Sequence, residues 1–305
     1  MTTTDKRVQF DFEVDFSNGG GIQGQGFRLD IDGDGIDDAA LADYIVRDLR
    51  LLMVGAVRIL NKQIIVERHK RAAAVAEADG TTGVSRIDLS HVIEDGMITY
   101  KGLPAPIVCD HLSREQSRAH YAAGTEFQIG KITMVANTGT YIDAPYHRYA
   151  DGKDVSGFDL DEVAGLDGVV VCVAGMGGRA IDRRVFLPLD LQGNAVLVHT
   201  GWDRHWRTDQ YFEDHPHLTA DAAEYLRDAG ARLVGIDSLN IDDTTGGERP
   251  VHGTLLGAGI PIVEHLRGLE QLPTDGFRFS AVPAKIRGMG TFPVRAYATL
   301  DPMKQ

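Results

Sequence analysis

Four apolar runs of strand length lie in the second half of the chain, and they constrain its fold more than any other feature. The runs are VVVCVAG around Val171, AVLVHT around Val198, RLVGID around Val234 and FRFSAV around Phe279. Turn-rich loops and helical patterns separate them. TADAAEYLRDAG predicts a helix with Thr219 as its N-cap, and IVEHLRGLEQL predicts another. Strands that alternate with helices predict an α/β fold with mixed sheets.

The first 83 residues predict a small α+β extension. VQFDFEVDF alternates apolar and acidic residues as a strand does, and a glycine cluster from Gly19 to Gly26 then breaks the pattern. ALADYIVRDLRLLMVGAV predicts one amphipathic helix. The alanine-rich stretch ERHKRAAAVAEADGTTG predicts a helical or flexible connector, so we place the start of the main domain at Val84.

The composition narrows the classes of partner. The formal net charge of -13, from 31 basic and 44 acidic residues, argues against a nucleic-acid surface. No segment approaches the roughly 20 uninterrupted apolar residues that a membrane helix needs, and the amino terminus has no apolar signal core. We therefore expect a cytoplasmic protein. Cys109 and Cys172 lack the spacing of a zinc site, and we expect both to be packing residues.

The stretch NTGTYIDAPYHRYADG, from Asn137 to Gly152, concentrates polar groups on a predicted loop. Asp143 offers an oxygen ligand for a metal ion, and His147 can bind a metal or carry a proton near neutral pH. By spacing alone the same residues also fit a structural role, in which Asp143 caps a turn and His147 bonds the backbone.

This stretch resembles the signature H-x-G-T-H-x-D-x-P-x-H of the putative cyclase family, which includes bacterial kynurenine formamidase and isatin hydrolase. Further pieces follow in the order of the family: IDLSHVIEDGMITYKGLPAP, VLVHTGWD, GIDSLNIDD and HGTLLGAGIPIVEHL. The resemblance covers residues 84–300. It implies an α/β fold with a mixed-sheet, swivelling β/β/α cyclase-like domain over residues 84–305, after the amino-terminal extension.

The resemblance also implies roles for individual residues. In the family, the first two signature His and the Asp bind a divalent metal, the last His transfers protons, and a later His and Glu complete a second metal position. Asp143, His252 and Glu264 match ligand positions, and His147 matches the proton carrier. Asn137 and Tyr141 replace the first two His. Both are weaker ligands than imidazole, so we do not expect a full binuclear zinc centre.

Three functions compete at this point. In the first, Asp143, His252 and Glu264 hold one manganese, magnesium or zinc ion, and the protein hydrolyses a small cyclic amide, formamide or lactone. In the second, no metal is bound, and the acid–base chemistry of a cyclase, dehydratase or lyase is run by Tyr141, Asp143, His147 and Glu264. The third is a non-catalytic binding protein on the same scaffold.

Several further residues are candidates with weaker support. We assign His91, Trp202 and His205, with Asn137, to substrate binding, and we expect His215 and His217 to be exposed. DIDGDGIDD imitates the start of a calcium loop, but Leu41 stands where the loop needs a glutamate, so we predict no calcium site. The resemblance further implies a homodimer or homotetramer.

Overall fold

The computed structural model describes residues 6–31, 35–49, 51, 53–66 and 84–300. Contacts between Cα atoms divide the chain into two compact units. One comprises residues 1–83 with Leu187–Asp190, and the other comprises Val84–Phe186 and Leu191–Gln305. The connector at 67–83 and residues 32–34 of the calcium-like motif lie outside the described residues.

The strands of the first unit are β1 (Lys6–Phe16), β2 (Gly21–Asp30) and β3 (Val54–Val66). Those of the second are β4 (Ser85–Asp88), β5 (Ile107–Leu112), β6 (Ile129–Thr133), β7 (Tyr141–Asp143), β8 (Leu166–Cys172), β9 (Ala180–Ile181), β10 (Ala195–His199), β11 (His217–Leu218), β12 (Leu233–Ile236), β13 (Ile262–Glu264), β14 (Phe277–Ser280), β15 (Thr291–Pro293) and β16 (Tyr297–Leu300). The α-helices are α1 (Asp38–Asp48), α2 (Arg114–Ser117), α3 (Leu160–Val163), α4 (Ala220–Asp228) and α5 (Pro250–Gly257).

The first unit is an antiparallel sheet in the order β2-β1-β3 with helix α1. The predicted strand VQFDFEVDF is confirmed as part of β1, and its apolar residues form a core with Leu41 and Ile45 of α1. The predicted break lies between Phe16 and Gly21, where Gly19 and Gly20 connect the two strands, and β2 then runs through the rest of the glycine cluster. Gly24 pairs with Phe12, and a Cβ at Gly24 would lie 2.2 Å from the Phe12 ring. The glycine therefore makes room for the ring.

The predicted amphipathic helix is too long. Helix α1 begins at the N-cap Asp37, whose carboxylate accepts a hydrogen bond from Ala40, and ends at Asp48. The rest of the predicted helix, from Val54 onward, belongs to β3, which pairs with β1 over nearly its whole length. The β-branched residues of β3 fit a paired strand, and this tertiary pairing overrides the helical spacing.

A nine-stranded mixed sheet forms the second unit, in the order β15-β7-β13-β12-β10-β8-β14-β16-β4. The strands β8, β10, β12 and β13 are mutually parallel, and antiparallel strands flank them on both sides. Two small sheets, β5–β6 and β9–β11, complete the unit. All four apolar runs predicted as strands are confirmed as β8, β10, β12 and β14. Strands β10 and β12 are almost entirely buried, which explains why they read as continuous apolar runs.

One predicted helix of this unit is confirmed and the other is wrong. TADAAEYLRDAG forms α4, with Thr219 as the N-cap residue. IVEHLRGLEQL instead forms strand β13 and a short 3-10 turn at Leu269–Gln271. Ile262 and Val263 are β-branched and fully buried between β12 and β7, where only a strand satisfies their backbone groups.

Two expectations about exposure are also wrong. His215 and His217 are buried, because they lie beside β9 and the chain segment that follows β12. Cys109 and Cys172 are both exposed rather than packed in the core. Within the described residues, no helix is both long and apolar enough to span a bilayer.

Candidate active site

The pairing of two short strands sets the floor of the candidate site. Strand β7 runs antiparallel to β13, with Tyr141 opposite Glu264 and Asp143 opposite Ile262. Residues two apart on a strand face the same side, so Tyr141 and Asp143 point the same way, together with Glu264. All three side chains are buried.

His252 reaches this group from the first turn of helix α5. Its Nε2 lies 3.6 Å from Asp143 Oδ2 and 3.7 Å from Glu264 Oε1. Its Nδ1 is 2.6 Å from Asp242 Oδ2, and the Asp242 carboxylate also accepts the backbone N–H groups of Val251 and His252. Asp242 thereby fixes the ring and leaves Nε2 facing the two carboxylates.

Glu264 is held by several donors. The Tyr141 hydroxyl donates to Glu264 Oε2 at 2.5 Å, and the backbone N–H of Ile241 donates to Oε1 at 2.7 Å. The Tyr100 hydroxyl lies 3.3 Å from Oε2 and is itself held by Asn240. Burial, and then the charge of Glu264, raise the pKa of Tyr141 well above its ordinary value, so this hydroxyl keeps its proton.

Asp143 is the unusual member of the group. Its side chain is fully buried, and neither carboxylate oxygen has a hydrogen-bond partner. This excludes the structural role in which Asp143 caps a turn. A buried carboxylate without donors is costly in free energy unless a cation compensates it.

The charges around Asp143 favour a cation more positive than one imidazolium. Three buried carboxylates, those of Asp143, Asp242 and Glu264, surround His252. Burial alone would lower the pKa of His252, but the nearby Asp143 carboxylate, the hydrogen bond to Asp242 and the charge of Glu264 raise it to about 10. Burial raises the pKa of Glu264 to about 7, and when the three carboxylates are ionised a protonated His252 offsets only one of their charges. Asp143, His252 and Glu264 each place a ligand atom within 4.8 Å of the others, which fits a divalent ion.

The group opens into two adjoining cavities. One, of about 240 Å³, is lined by Tyr100, Leu103, Asn137, Tyr141, His147, Asn240, His252 and Glu264. The other, of about 720 Å³, shares His147, Asn240 and His252 and adds Arg148 and residues 247–250 with Gly253. His147 is exposed, and its ring centroid lies 6.0 Å from that of His252. His147 therefore lies at the entrance of both cavities, beside the buried His252.

Close backbone packing sets the position of His147. Gly290 lies against its backbone, so that a Cβ at Gly290 would lie 2.6 Å from the His147 Cα. The Gly290 carbonyl also accepts the N–H of Ala144. Only glycine lets this segment approach the turn that carries His147.

The structure gathers some of the other predicted residues into the site and not the rest. Asn137 lines the smaller cavity and accepts a hydrogen bond from Thr291. His91 stacks on Trp206 at 3.9 Å between centroids. Trp202 and His205 pack on each other, with the Trp202 indole donating to the Tyr211 carbonyl. His91, Trp202 and His205 line neither of the two cavities, and their role in substrate binding stays a prediction.

Sequence reasoning missed three residues that shape the site: Tyr100, Asn240 and Asp242. The last two lie in the loop after β12, in the segment LNIDD. Polar residues in the loop that follows a fully buried parallel strand lie near the edge where sites form in α/β sheets. That signal was available for Asn240 and Asp242. Tyr100 lies on an irregular loop and gave no comparable signal.

Comparison with known proteins agrees with this geometry. A family model described as "Putative cyclase" matches residues 87–243. The kynurenine formamidase of Bacillus cereus is 30% identical over 211 residues, which cover 69% of this chain and 95% of that protein. The kynurenine formamidase of Geobacillus thermodenitrificans is 32% identical over 183 residues, covering 59% of this chain and 84% of that protein.

Solved structures give the same picture. A potential metal-dependent hydrolase with cyclase activity matches with a TM-score of 0.59 at 28% identity, covering 71% of this chain and 98% of that one. Isatin hydrolase A from Labrenzia aggregata matches with a TM-score of 0.62 at 20% identity, covering 76% and 100%. The second likeness concerns the fold alone, and together they confirm the predicted α/β fold class.

Proposed function

This chain belongs to the putative cyclase family and is a hydrolase of that family, and we propose that it uses one divalent metal ion to hydrolyse a small cyclic amide, formamide or lactone. The observation that carries the proposal is the Asp143 carboxylate, which is fully buried without a hydrogen-bond donor. It faces His252 and Glu264 at distances suited to a shared ion. The relative at 30% identity is named a formamidase, which agrees with the proposed bond type.

Asp143, His252 and Glu264 would hold the ion, which suits manganese, zinc or magnesium with open positions for water and substrate. When bound, such an ion supplies Lewis acidity, which lowers the pKa of water and polarises a carbonyl group. The missing signature histidines at positions 137 and 141 remove the other metal position of the family, so we propose a mononuclear centre. Tyr141 then serves to position Glu264 rather than to bind metal.

Side chains around the proposed ion position its ligand, transfer the proton and bind the substrate. Asp242 keeps Nδ1 of His252 hydrogen-bonded, so that Nε2 is the ligand atom. His147, at the mouth of both cavities, takes a proton from the attacking water and returns it to the leaving nitrogen or oxygen. Asn137 and Asn240 line the cavity and offer amide groups to the substrate.

The metal-free alternative uses Tyr141 as the donor to the substrate carbonyl. The short hydrogen bond from Tyr141 to Glu264 weighs against it, because the one phenolic proton is already engaged. For this reason we rank metal-dependent hydrolysis first.

Elemental analysis by mass spectrometry tests the proposal directly. The wild type and the variants Asp143→Ala, His252→Ala and His147→Gln are expressed with manganese and zinc and then dialysed. We expect about one divalent ion per chain in the wild type and in His147→Gln, and little in the two ligand variants. Hydrolysis of N-formyl arylamines, lactams and lactones is followed in parallel, and His147→Gln should keep its ion but lose turnover. A wild type without bound metal would rule out the mononuclear centre and leave the acid–base chemistry of Tyr141 and His147.

A further inference from the structure

A second group of reactive side chains lies at the carboxyl ends of three neighbouring parallel strands. Cys172 ends β8, His199 ends β10, and Asp237 directly follows β12. Cys172 and His199 are register partners in the parallel pair, so their side chains face the same side of the sheet. None of the three residues lines the cavities around His252.

The geometry links the three residues in a row. Cys172 Sγ lies 3.4 Å from His199 Nδ1, and His199 Nε2 lies 3.9 Å from Asp237 Oδ2. Asp237 is fully buried and rigidly held, because its carboxylate accepts hydrogen bonds from the Thr200 N–H and hydroxyl and from the Gly201 N–H. A fixed carboxylate behind an imidazole, with a thiol in front of it, is the arrangement that activates cysteine nucleophiles.

We propose that Cys172, His199 and Asp237 form a nucleophilic thiol site, separate from the centre at Asp143, that reacts with small soft electrophiles of the peroxide class. The thiol is exposed and therefore accessible to such molecules. The sulfur attacks one peroxide oxygen as the O–O bond breaks, so that sulfur is oxidised to a sulfenic acid and the peroxide is reduced. The departing hydroxide takes a proton from the His199 imidazolium and leaves as water.

The charges around Cys172 and His199 agree with this assignment. The hydrogen bond to His199 lowers the pKa of the Cys172 thiol against the effect of burial, and the Ala174 backbone N–H adds to the lowering. The hydrogen bond to Cys172 raises the pKa of His199, aided by the charges of Asp237 and Glu270. The negative charge of Asp237 raises the pKa of the Cys172 thiol and so opposes these two effects. The Arg204 guanidinium lies close to Gly201, in the turn after His199.

Alkylation by iodoacetamide measures the nucleophile without any oxidant, because a sulfur–carbon bond forms while the carbon–iodine bond breaks and iodide leaves. Rates at each cysteine are followed by peptide mass spectrometry from pH 6.5 to 8.0. An ordinary thiol gains roughly twentyfold in rate over this range, since its thiolate fraction rises with pH below about 8.5. Cys109, exposed on β5, provides a reference in the same molecule.

We expect the rate at Cys172 to rise clearly less over this range than the roughly twentyfold of an ordinary thiol. In His199→Gln and His199→Ala the rise should return to that of an ordinary thiol, with the rate at Cys109 unchanged as evidence that the fold is intact. Hydrogen peroxide followed by dimedone should label Cys172 in the wild type and in Cys109→Ser. A Cys172 rate that climbs roughly twentyfold in the wild type, or one that ignores both His199 variants, would overturn the proposal, as would peroxide treatment that leaves Cys172 unlabelled by dimedone.

Discussion

Asp143 and Asp237 are fully buried aspartates at strand ends of one sheet, yet their surroundings are opposite. Asp237 accepts three hydrogen bonds from Thr200 and Gly201, whereas the Asp143 oxygens have no donor. Burial raises the pKa of Asp237 to about 6, against the effect of those hydrogen bonds. The comparison teaches that a buried carboxylate alone does not mark a ligand site. An unsatisfied carboxylate beside further carboxylates is a stronger indication of a ligand site, because a bound cation would supply the missing compensation.

The largest expected effect comes from removing the unsatisfied charge. Asp143→Asn should abolish metal retention and lower the hydrolysis rate by on the order of a thousandfold, since metal assistance supplies several kcal/mol. At the same time the metal-free variant should unfold at a higher temperature than the metal-free wild type, because one uncompensated buried charge is gone. Calorimetry with and without chelator checks this. A metal-free variant that is less stable than the metal-free wild type would contradict the assignment of an uncompensated charge to Asp143.

The matched substitution at the satisfied carboxylate should behave in the opposite way. Asp237→Asn should keep the bound ion but lose roughly 2–3 kcal/mol in the free energy of unfolding, because an amide cannot accept all the hydrogen bonds that the carboxylate does. Denaturant titration measures the loss, and elemental analysis measures the ion. Equal loss of metal in Asp143→Asn and Asp237→Asn would show that the two regions do not differ as proposed.

Two buried histidines extend the comparison to pH. His252 sits among carboxylates, whereas His215 contacts the neutral oxygens of Pro216 and Thr244. Burial, the largest cause, lowers the pKa of His215 to about 4. A lowered histidine pKa contributes stability that is present above about pH 6.5 and is lost as pH falls through about 4.

We therefore expect the free energy of unfolding to fall by roughly 2 kcal/mol between pH 6.5 and 4 through His215. In His215→Gln this part of the loss should disappear, while the rest of the pH dependence remains. Denaturant titrations at several pH values measure both slopes, and parallel curves for the two proteins would contradict the assignment.

The smallest expected effect distinguishes metal-dependent hydrolysis from the metal-free scheme. Tyr141→Phe removes the hydrogen bond to Glu264, and if Tyr141 only positions that ligand, metal affinity should fall by about tenfold, as for other partners of metal ligands. At saturating metal the turnover should be nearly restored. A loss of a hundredfold or more that added metal does not rescue would instead indicate that Tyr141 donates to the substrate, as the metal-free scheme requires.

The sequence predicted much of the sheet because buried parallel strands are apolar along their whole length, as in β10 and β12. It failed at β13, where IVEHL fits a helical spacing as well as a strand, and only the neighbours β7 and β12 decide between them. The family resemblance likewise predicted that Asp143, His252 and Glu264 belong to one site. The position of Tyr100, whose hydroxyl lies beside Glu264, depends on a loop that local patterns do not specify. The row from Cys172 to Asp237 depends on the register of three strands.

The pairing of β7 with β13 also has a kinetic consequence. Tyr141 and Glu264 are register partners although 123 positions separate them along the chain. Contacts between such distant segments close late in folding, because the entropy of a long loop must be lost before the contact stabilises anything. During synthesis, β7 cannot form this pairing until the much later segment β13 has emerged. The ability to retain a metal ion should therefore appear among the last steps of folding and would report that the sheet has closed.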